Sequence, residues 1–428
     1  MDEPAAQACG AWIRRRTFVS GSVAAVAAIL AGCSDDADDD ASTTASTDDD
    51  AAAPSTSAGS DGAPGRAADE GASVIVVGAG PAGMSAAHLL RQRGVDVRVL
   101  EAGPTYGGRI RHDRDFADFP IALGGEWVHV GADILDEIVN DDDVEITSEL
   151  VQYTGDDEVA YVDDAIVTVP IKPIIFDVDS KFVGSSWLDF YETYVLPGIA
   201  DAIEYDTPIV EVDHGRDDRV VLADSNGALH EADHVIVTVP LRILQLGDVA
   251  FRPPLDEDRQ AAIDGAEVWS GFKAFFEFEE TFYPAALAYA DSDTGDGQRL
   301  FYDAAYGQQT GESILGLFSV GAPAERYGAM SDEEFLADVL AELDATFDGA
   351  ASRSYVKHLV QNWNDEPFAR GGYLADDESE SVTNVLAEPL GDRVYFAGDA
   401  YTSFDDWSSV HAAARSAAAA VDQFLGNV

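Results

Sequence analysis

Cysteine is almost absent from this chain. There are two in 428 residues, Cys9 and Cys33, and both precede the main body of the sequence. The body therefore holds no disulfide, no cysteine-ligated metal and no cysteine nucleophile. Lysine is nearly as scarce: four remain, at positions 172, 181, 273 and 357, against 21 arginines. A spanning apolar run is also missing. The apolar stretch near the start is about 15 residues long, short of the roughly 20 that a membrane-crossing helix needs. Positive charge is the last scarcity. Lys and Arg total 25 against 80 Asp and Glu, a net charge of −55.

That charge excludes nucleic acid as a partner, because a phosphate backbone would be repelled. It is not confined to a tail, since residues 72–428 alone carry about −46. In dilute buffer such self-repulsion opposes a compact state. In molar salt the Debye length falls to about 3 Å and most of the penalty disappears. An acidic, lysine-poor composition predicts a halophilic protein; a merely acidic protein of ordinary salinity is the alternative. Each surviving lysine then needs a reason to be there.

Residues 11–33 read AWIRRRTFVSGSVAAVAAILAGC. A basic segment precedes the short apolar stretch, as in an export signal. Arg15 and Arg16 resemble the pair of a twin-arginine (Tat) signal, which is an address and not an anchor. Leu30-Ala31-Gly32-Cys33 resembles a lipobox, which implies that Cys33 is lipidated and becomes the first residue. An uncleaved N-terminal membrane anchor is the other reading. Residues 34–71 are rich in Asp, Ser, Thr, Ala and Gly and cannot bury enough surface to order themselves, so they are expected to form an acidic tether.

At Ala72 the texture changes. SVIVVGAGPAGMSAAHLLRQRGVDVRVLEAG carries a β-branched run, then Gly78-x-Gly80-x-x-Gly83, an amphipathic helix and a second strand ending at Glu101. The acid lies 18 residues past the last glycine. With strand before and helix after, this spacing specifies a dinucleotide site. The glycines permit the tight turn and close approach of the pyrophosphate to the helix N-terminus, and Glu101 accepts from ribose hydroxyls.

Further motifs follow in order: Gly107-Gly108-Arg109, LGGEWVH at 123–129, TPIVEV at 207–212, ADHVIVTVPLRIL at 232–244, SGFKAFFEFEETFYP at 270–284, WNDEPFARGGY at 363–373, and RVYFAGDAYTS with WSSVHAAARSAAAAV near the end. Together they resemble the flavin amine oxidase family over about residues 72–425. The resemblance implies an α/β fold of two domains. One is a Rossmann-like βαβ FAD-binding domain from 72–130, 205–260 and 385–428. The other is a substrate domain of mixed sheet and helices from 131–204 and 261–384. It implies noncovalent FAD, met by Gly78, Gly80, Ala82, Gly83, Glu101, Gly108, Arg109, Gly125, Glu126, Trp127, Ile209, Gly398, Asp399, Ser409 and Val410. Arg109 would face the phosphates and Asp399 a ribityl hydroxyl. Glu126 would either meet the flavin or bind a substrate ammonium, or else be structural. His129 and Trp363 read as structural. Lys273 matches the family lysine that holds a water against the flavin, and Tyr373 one wall of its aromatic cage; these two are the expected catalytic residues.

The chain also departs from the family. Gly372 stands where monoamine oxidases attach flavin covalently. Ser409 or Val410 replaces their second cage tyrosine, and Ala412 replaces a helix glycine. Candidate helices are SSWLDFYETYVLPGIADAI and DEEFLADVLAELDATF, and candidate strands KAFFEFE, SILGLFSV and YVKHLVQNW. The implied reaction oxidises an amine to an imine with O2 reduced to H2O2. Desaturase-like or protoporphyrinogen oxidase-like oxidation of a C–C bond, and a non-catalytic surface flavoprotein, are the alternatives. The expected location is the outer face of the cytoplasmic membrane, reached through the Tat machinery and held by a lipid on Cys33. Cys33→Ser should then release the protein to the medium or block its processing, seen by fractionating cells; an unchanged membrane fraction would favour an uncleaved helix.

Overall fold

The run Ser73–Val77 is apolar throughout because both of its faces are covered. Val74 and Val76 point into a core built with Met84, Leu90, Val97 and Val99. Ile75 and Val77 point the other way, toward Leu100, Val235 and Val237. This strand is central in a five-stranded sheet of order Ile203–Glu204, Asp96–Leu100, Ser73–Val77, His234–Val237 and Val394–Phe396. Every pairing in it is parallel, with Val74 opposite both Val97 and His234. The computed structural model describes residues 71–154, 157–162, 166–170, 179–292, 296–375, 380–402 and 408–427. The export signal, Cys33, most of the acidic segment and Lys172 lie outside the described residues.

Helices Pro81–Gln92 and Val410–Asn427 pack together over one face of the parallel sheet. The other face meets a four-stranded sheet of order Leu229–Ala232, Val220–Asp224, Ile209–Asp213 and Ala250–Arg252. The first strand turns sharply into its helix. Gly78 has φ +107°, and a Cβ there would lie 2.7 Å from Thr238 Oγ1. A Cβ on Gly83 would lie 1.9 Å from the Gly78 carbonyl oxygen. Pro81 follows the N-cap residue Gly80, where its missing N–H costs nothing.

The second body is a seven-stranded sheet of order Tyr355–Asn362, Gly271–Phe278, Ser313–Gly321, Gly297–Asp303, Ala286–Tyr289, Glu158–Val162 and Ile166–Pro170. Strand Gly271–Phe278 alternates cleanly. Phe272, Ala274, Phe276 and Phe278 join the core under helix Asp332–Thr346, with Phe335, Val339 and Leu343. Phe275 joins a separate cluster with Ile121 and Tyr302, and Lys273 shares its face by the period of two. That helix opens with the capping box Ser331/Glu334. Among the described residues no helix is long and apolar enough to cross a membrane.

Two expectations need correction. Residues 131–204 do not belong wholly to the substrate body. Helix Ile134–Val139 and the segment from Trp187 to Ile203 place their apolar faces in the core of the parallel sheet, and Ile203–Glu204 forms its edge. The helix expected over SSWLDFYETYVLPGIADAI runs only Trp187–Tyr194, then breaks into 3-10 turns at Leu196–Gly198 and Ala200–Ala202. Pro197 is the cause, since it removes a helical donor and clashes with the preceding turn. The remaining candidates form as expected, as helix Asp332–Thr346 and strands Gly271–Phe278, Ser313–Gly321 and Tyr355–Asn362. Gly83→Ala should destabilise the protein by roughly 1–3 kcal/mol through overpacking. Thermal unfolding in molar KCl measures this, and an unchanged midpoint would contradict the close helix–turn contact.

Candidate active site

A cavity of about 690 Å³ runs from the glycine turn to the seven-stranded sheet. At its first end lie Gly78, Gly80, Ala82, Glu101 and Gly108, with Thr207 and Ile209 beside them. A Cβ on Gly80 would meet nothing within 4 Å, so the backbone there faces open space. Glu101 accepts from the backbone N–H of Ala79 at 2.6 Å and of Gly103 at 2.8 Å. Burial nevertheless raises its pKa, those hydrogen bonds opposing the rise. Gly83 is not on the wall. It was grouped with the cofactor contacts, but the close approach of helix to turn explains it instead.

Midway, the N- and C-terminal motifs meet. Arg109 donates through both Nη atoms to the two carboxylate oxygens of Asp399, and Nη1 also donates to the Gly372 carbonyl. The forked, charge-assisted pair is partly buried. The two residues expected to face the phosphates and a ribityl hydroxyl thus face each other across the wall. Arg111 pairs with Glu366 at 2.7 Å and lies over the Trp363 ring. Trp363 is buried and donates to the Leu123 carbonyl at 2.9 Å, yet it also lines the cavity.

The far end is bounded by Gly125, Glu126, Trp127, Lys273, Phe318, Tyr373, Ser409 and Val410. Gly398 and Asp399 lie on the same wall. Ser409 Oγ accepts from the Ala412 backbone N–H at 3.1 Å and so caps the final helix. Tyr373 packs with Trp269, Val320 and Phe318.

Lys273 is 4% exposed. Its Nζ donates to the Ala122 carbonyl at 2.8 Å, the Gly124 carbonyl at 3.2 Å and Glu126 Oε2 at 2.7 Å. An ammonium has three N–H groups, and all three are taken by protein. The expected role of holding a water is therefore not what these bonds provide. Glu126 is equally committed. Oε1 lies 3.1 Å from Lys181 Nζ, and Tyr302 donates to Oε2 at 2.5 Å. Its carboxylate is thus not open to a substrate ammonium. Burial alone would raise the Glu126 pKa, but the lysines and Tyr302 pull it down to about 2. Burial lowers the Lys273 pKa, Glu126 resisting and Lys181 adding to the fall.

Lys181 and Tyr302 were not foreseen as site residues. Lys181 stands opposite Trp127 in a three-stranded sheet with Ser180–Phe182 at its centre. The scarcity of lysine was a usable signal. The three described lysines are all engaged, Lys357 with Glu277 and the Phe116 carbonyl. Tyr302 reaches across its neighbouring strand because position 316 is glycine; a Cβ there would lie 2.5 Å from Tyr302 Cζ. His129, expected to be structural, lines the cavity and pairs with Asp179 at 3.1 Å. Burial would lower its pKa, but Asp179 outweighs burial and raises it. Among the described residues no cluster of His, Cys, Asp and Glu has metal-holding geometry.

An elongated cavity with a glycine turn and an acid at one end, and a cation among aromatic rings at the other, fits a dinucleotide carrying a ring system. Comparison with known proteins agrees. The family described as flavin containing amine oxidoreductase matches residues 199–425. An NAD(P)-binding Rossmann-like domain matches residues 76–141. Lysine-specific histone demethylase 1B of Mus musculus is 24% identical over 414 residues, 77% of this chain and 50% of that protein. Probable polyamine oxidase 4 of Arabidopsis thaliana is 24% identical over 427 residues, 80% of this chain and 84% of that one. The chain spans about half the length of the mouse and human histone demethylases among the proteins it matches. A solved structure of a putrescine oxidase variant shares the fold, with a TM-score of 0.68 at 16% identity over 83% of this chain and 99% of that one. With the dinucleotide turn, the joined terminal motifs and the match over residues 199–425, the chain belongs to the flavin containing amine oxidoreductase family.

Proposed function

We propose that this protein is an FAD-dependent amine oxidase that converts a C–N single bond to an imine. The observation that carries the reading is one continuous cavity. It begins at a dinucleotide turn and ends between a buried lysine and a wall of Trp127, Phe318 and Tyr373. The polyamine oxidases and histone demethylases among its relatives support an amine as the donor. FAD, when bound, supplies the hydride acceptor and returns the electrons to O2, giving H2O2.

The chain's own residues bind, orient and keep the site dry. The Gly78–Gly80 turn and the N-terminus of helix Pro81–Gln92 would hold the phosphates. Glu101 would take the ribose and Ile209 the adenine through its backbone. The capped N-terminus of the final helix would favour negative charge near the ring. Trp127, Phe318 and Tyr373 would orient the donor carbon and exclude water. With FAD as the acceptor, a neutral amine would lose a hydride equivalent, and water would hydrolyse the resulting iminium to a carbonyl and ammonia or a smaller amine. Gly372, at the position of covalent attachment in monoamine oxidases, supports noncovalent FAD. The leader supports Tat export of an FAD-loaded, folded protein with a lipid on Cys33, and the composition supports a halophilic setting.

In molar salt the purified protein should be yellow. It should bleach anaerobically with an amine from a panel of primary amines, polyamines and amino acids, and release H2O2 when air is admitted. A yellow protein that no amine bleaches would overturn the reading. Lys273→Met should keep FAD and slow turnover on the order of a hundredfold. Stopped-flow measurement of both half-reactions checks this, and unchanged rates in both would remove Lys273 from the reaction.

A further inference from the structure

The four lysines of this chain are distributed unevenly, and two converge on one carboxylate. Glu126 is 9% exposed at its side chain, Lys181 3% and Lys273 5%. A buried pair costs several kcal/mol to desolvate and is sustained only when its remaining donors and acceptors are satisfied. Here they are. Lys273 gives one N–H to each of three acceptors. Lys181 donates to the Ala304 carbonyl at 3.0 Å and lies against Glu126 Oε1. The groups within hydrogen-bond distance of the Lys273 nitrogen are all acceptors. A neutral amine has two N–H groups and a lone pair, and that lone pair would point at an oxygen in this setting. The hydrogen-bond pattern therefore specifies the ammonium.

We propose, on the footing that FAD fills the cavity, that Glu126 is a positioning residue that holds Lys273 as a fixed positive charge at the ring end of the pocket. Lys273 then acts on the cofactor electrostatically and does not exchange a proton during turnover. The charge stabilises the reduced ring, which gains one net negative charge when it takes two electrons and one proton. Lys181 is the counterweight. It competes for the same carboxylate and keeps Glu126 ionised when the pocket charge changes.

The surroundings bear on this. Glu126 and Trp127 approach from the loop and short strand after Gly124. Lys181 comes from strand Ser180–Phe182 and Tyr302 from Gly297–Asp303. The Asp303 carboxyl lies beyond Lys181, with its pKa raised by burial and lowered in part by that lysine. Tyr153 adds a buried phenol whose pKa burial and Glu126 raise well above the usual value. Phe318 and Gln361, the strand neighbours of Lys273 in register, bring no charge. Glu126 is thus the anion that meets the Lys273 nitrogen directly.

The test is the pH dependence of the anaerobic midpoint potential of the yellow protein in molar KCl. In the wild type, reduction should take up one proton per two electrons from about pH 7 to 9. In Glu126→Gln, Lys273 loses its anion while burial and Lys181 still depress it. Lys273 should then be neutral in the oxidised protein over part of this range and regain its proton on reduction. The balance becomes two electrons and two protons, so the slope of potential against pH doubles there. Glu126→Asp should restore the single-proton slope. Lys181→Met should keep that slope and lower the potential, because a positive charge is gone.

A wild-type slope that already steepens within this range would overturn the proposal without any variant. A folded, yellow Glu126→Gln protein with the wild-type slope would overturn it equally. A colourless wild type that takes up no FAD would overturn the flavin reading and this proposal together, so the two failures are distinguishable.

Discussion

The Glu126 carboxylate is the point on which the far end of the cavity depends. Four separate stretches meet at its oxygens: its own loop, strand Ser180–Phe182, strand Gly271–Phe278 and strand Gly297–Asp303. Ladders tie them in two pairs, the loop to strand Ser180–Phe182 through Trp127 opposite Lys181, and strand Gly271–Phe278 to Gly297–Asp303 through Ser313–Gly321, and Glu126 joins the two pairs. Removing one partner of such a buried pair costs about 3–5 kcal/mol, because a charge is left without compensation. The anion therefore sets both the geometry and the charge of this wall. Trp127, which follows Glu126 directly, shares the constraint. Its ring stands edge-on to Tyr302 at 4.8 Å and lies 5.5 Å from the Lys273 nitrogen.

A second pairing does for the middle of the cavity what Glu126 does for its end. Arg109 comes from the first hundred or so residues and Asp399 from the last thirty, yet they form a forked ion pair beside the Gly372 carbonyl. The long excursion through the second body is closed by this contact and by the packing of the final helix on helix Pro81–Gln92. Arginine suits the task because its planar fork matches a carboxylate at two points, which an ammonium cannot do. Lysine is used where a compact point charge must meet three acceptors in different directions, as at position 273. The division of labour between the two cations follows from their shapes.

Much of the fold was legible because its signals are local. The βαβ start is written in a run of β-branched residues, three glycines and an acid at fixed spacing, and each has a steric reason visible at Gly78 and Gly83. Strand Gly271–Phe278 could be read from alternation, and helix Asp332–Thr346 from its period and cap. The site was legible where a motif carries it and opaque where tertiary register decides. Lys181 lies in an unremarkable SKF tripeptide. Only the pairing of that strand with Trp127–Val128 brings it to Glu126. Tyr302 depends on a glycine in the adjacent strand, and Asp179 on where residues 131–204 are divided between the two bodies. The role of Glu126 was left among alternatives for the same reason, since its partners come from three distant segments.

The contrast between surface and cavity has a physical consequence. Outside, acid outnumbers base by far, and molar salt reduces the reach of those charges to about 3 Å. Inside, each carboxylate on the wall is answered locally: Glu126 by two lysines, Asp399 by Arg109, Glu366 by Arg111, Asp179 by His129, Asp248 by Arg370, and Glu101 by backbone N–H groups. A low-dielectric cavity magnifies any unpaired charge, whereas salt in the solvent screens an exposed one. The sequence can therefore drift toward acid on its surface without altering the field in its cavity, provided that the few internal cations stay where they are. That requirement gives a reason for lysine at 181 and 273 in a chain that holds only four. At these two positions the ammonium is fixed by oxygens that arrive from several directions at once.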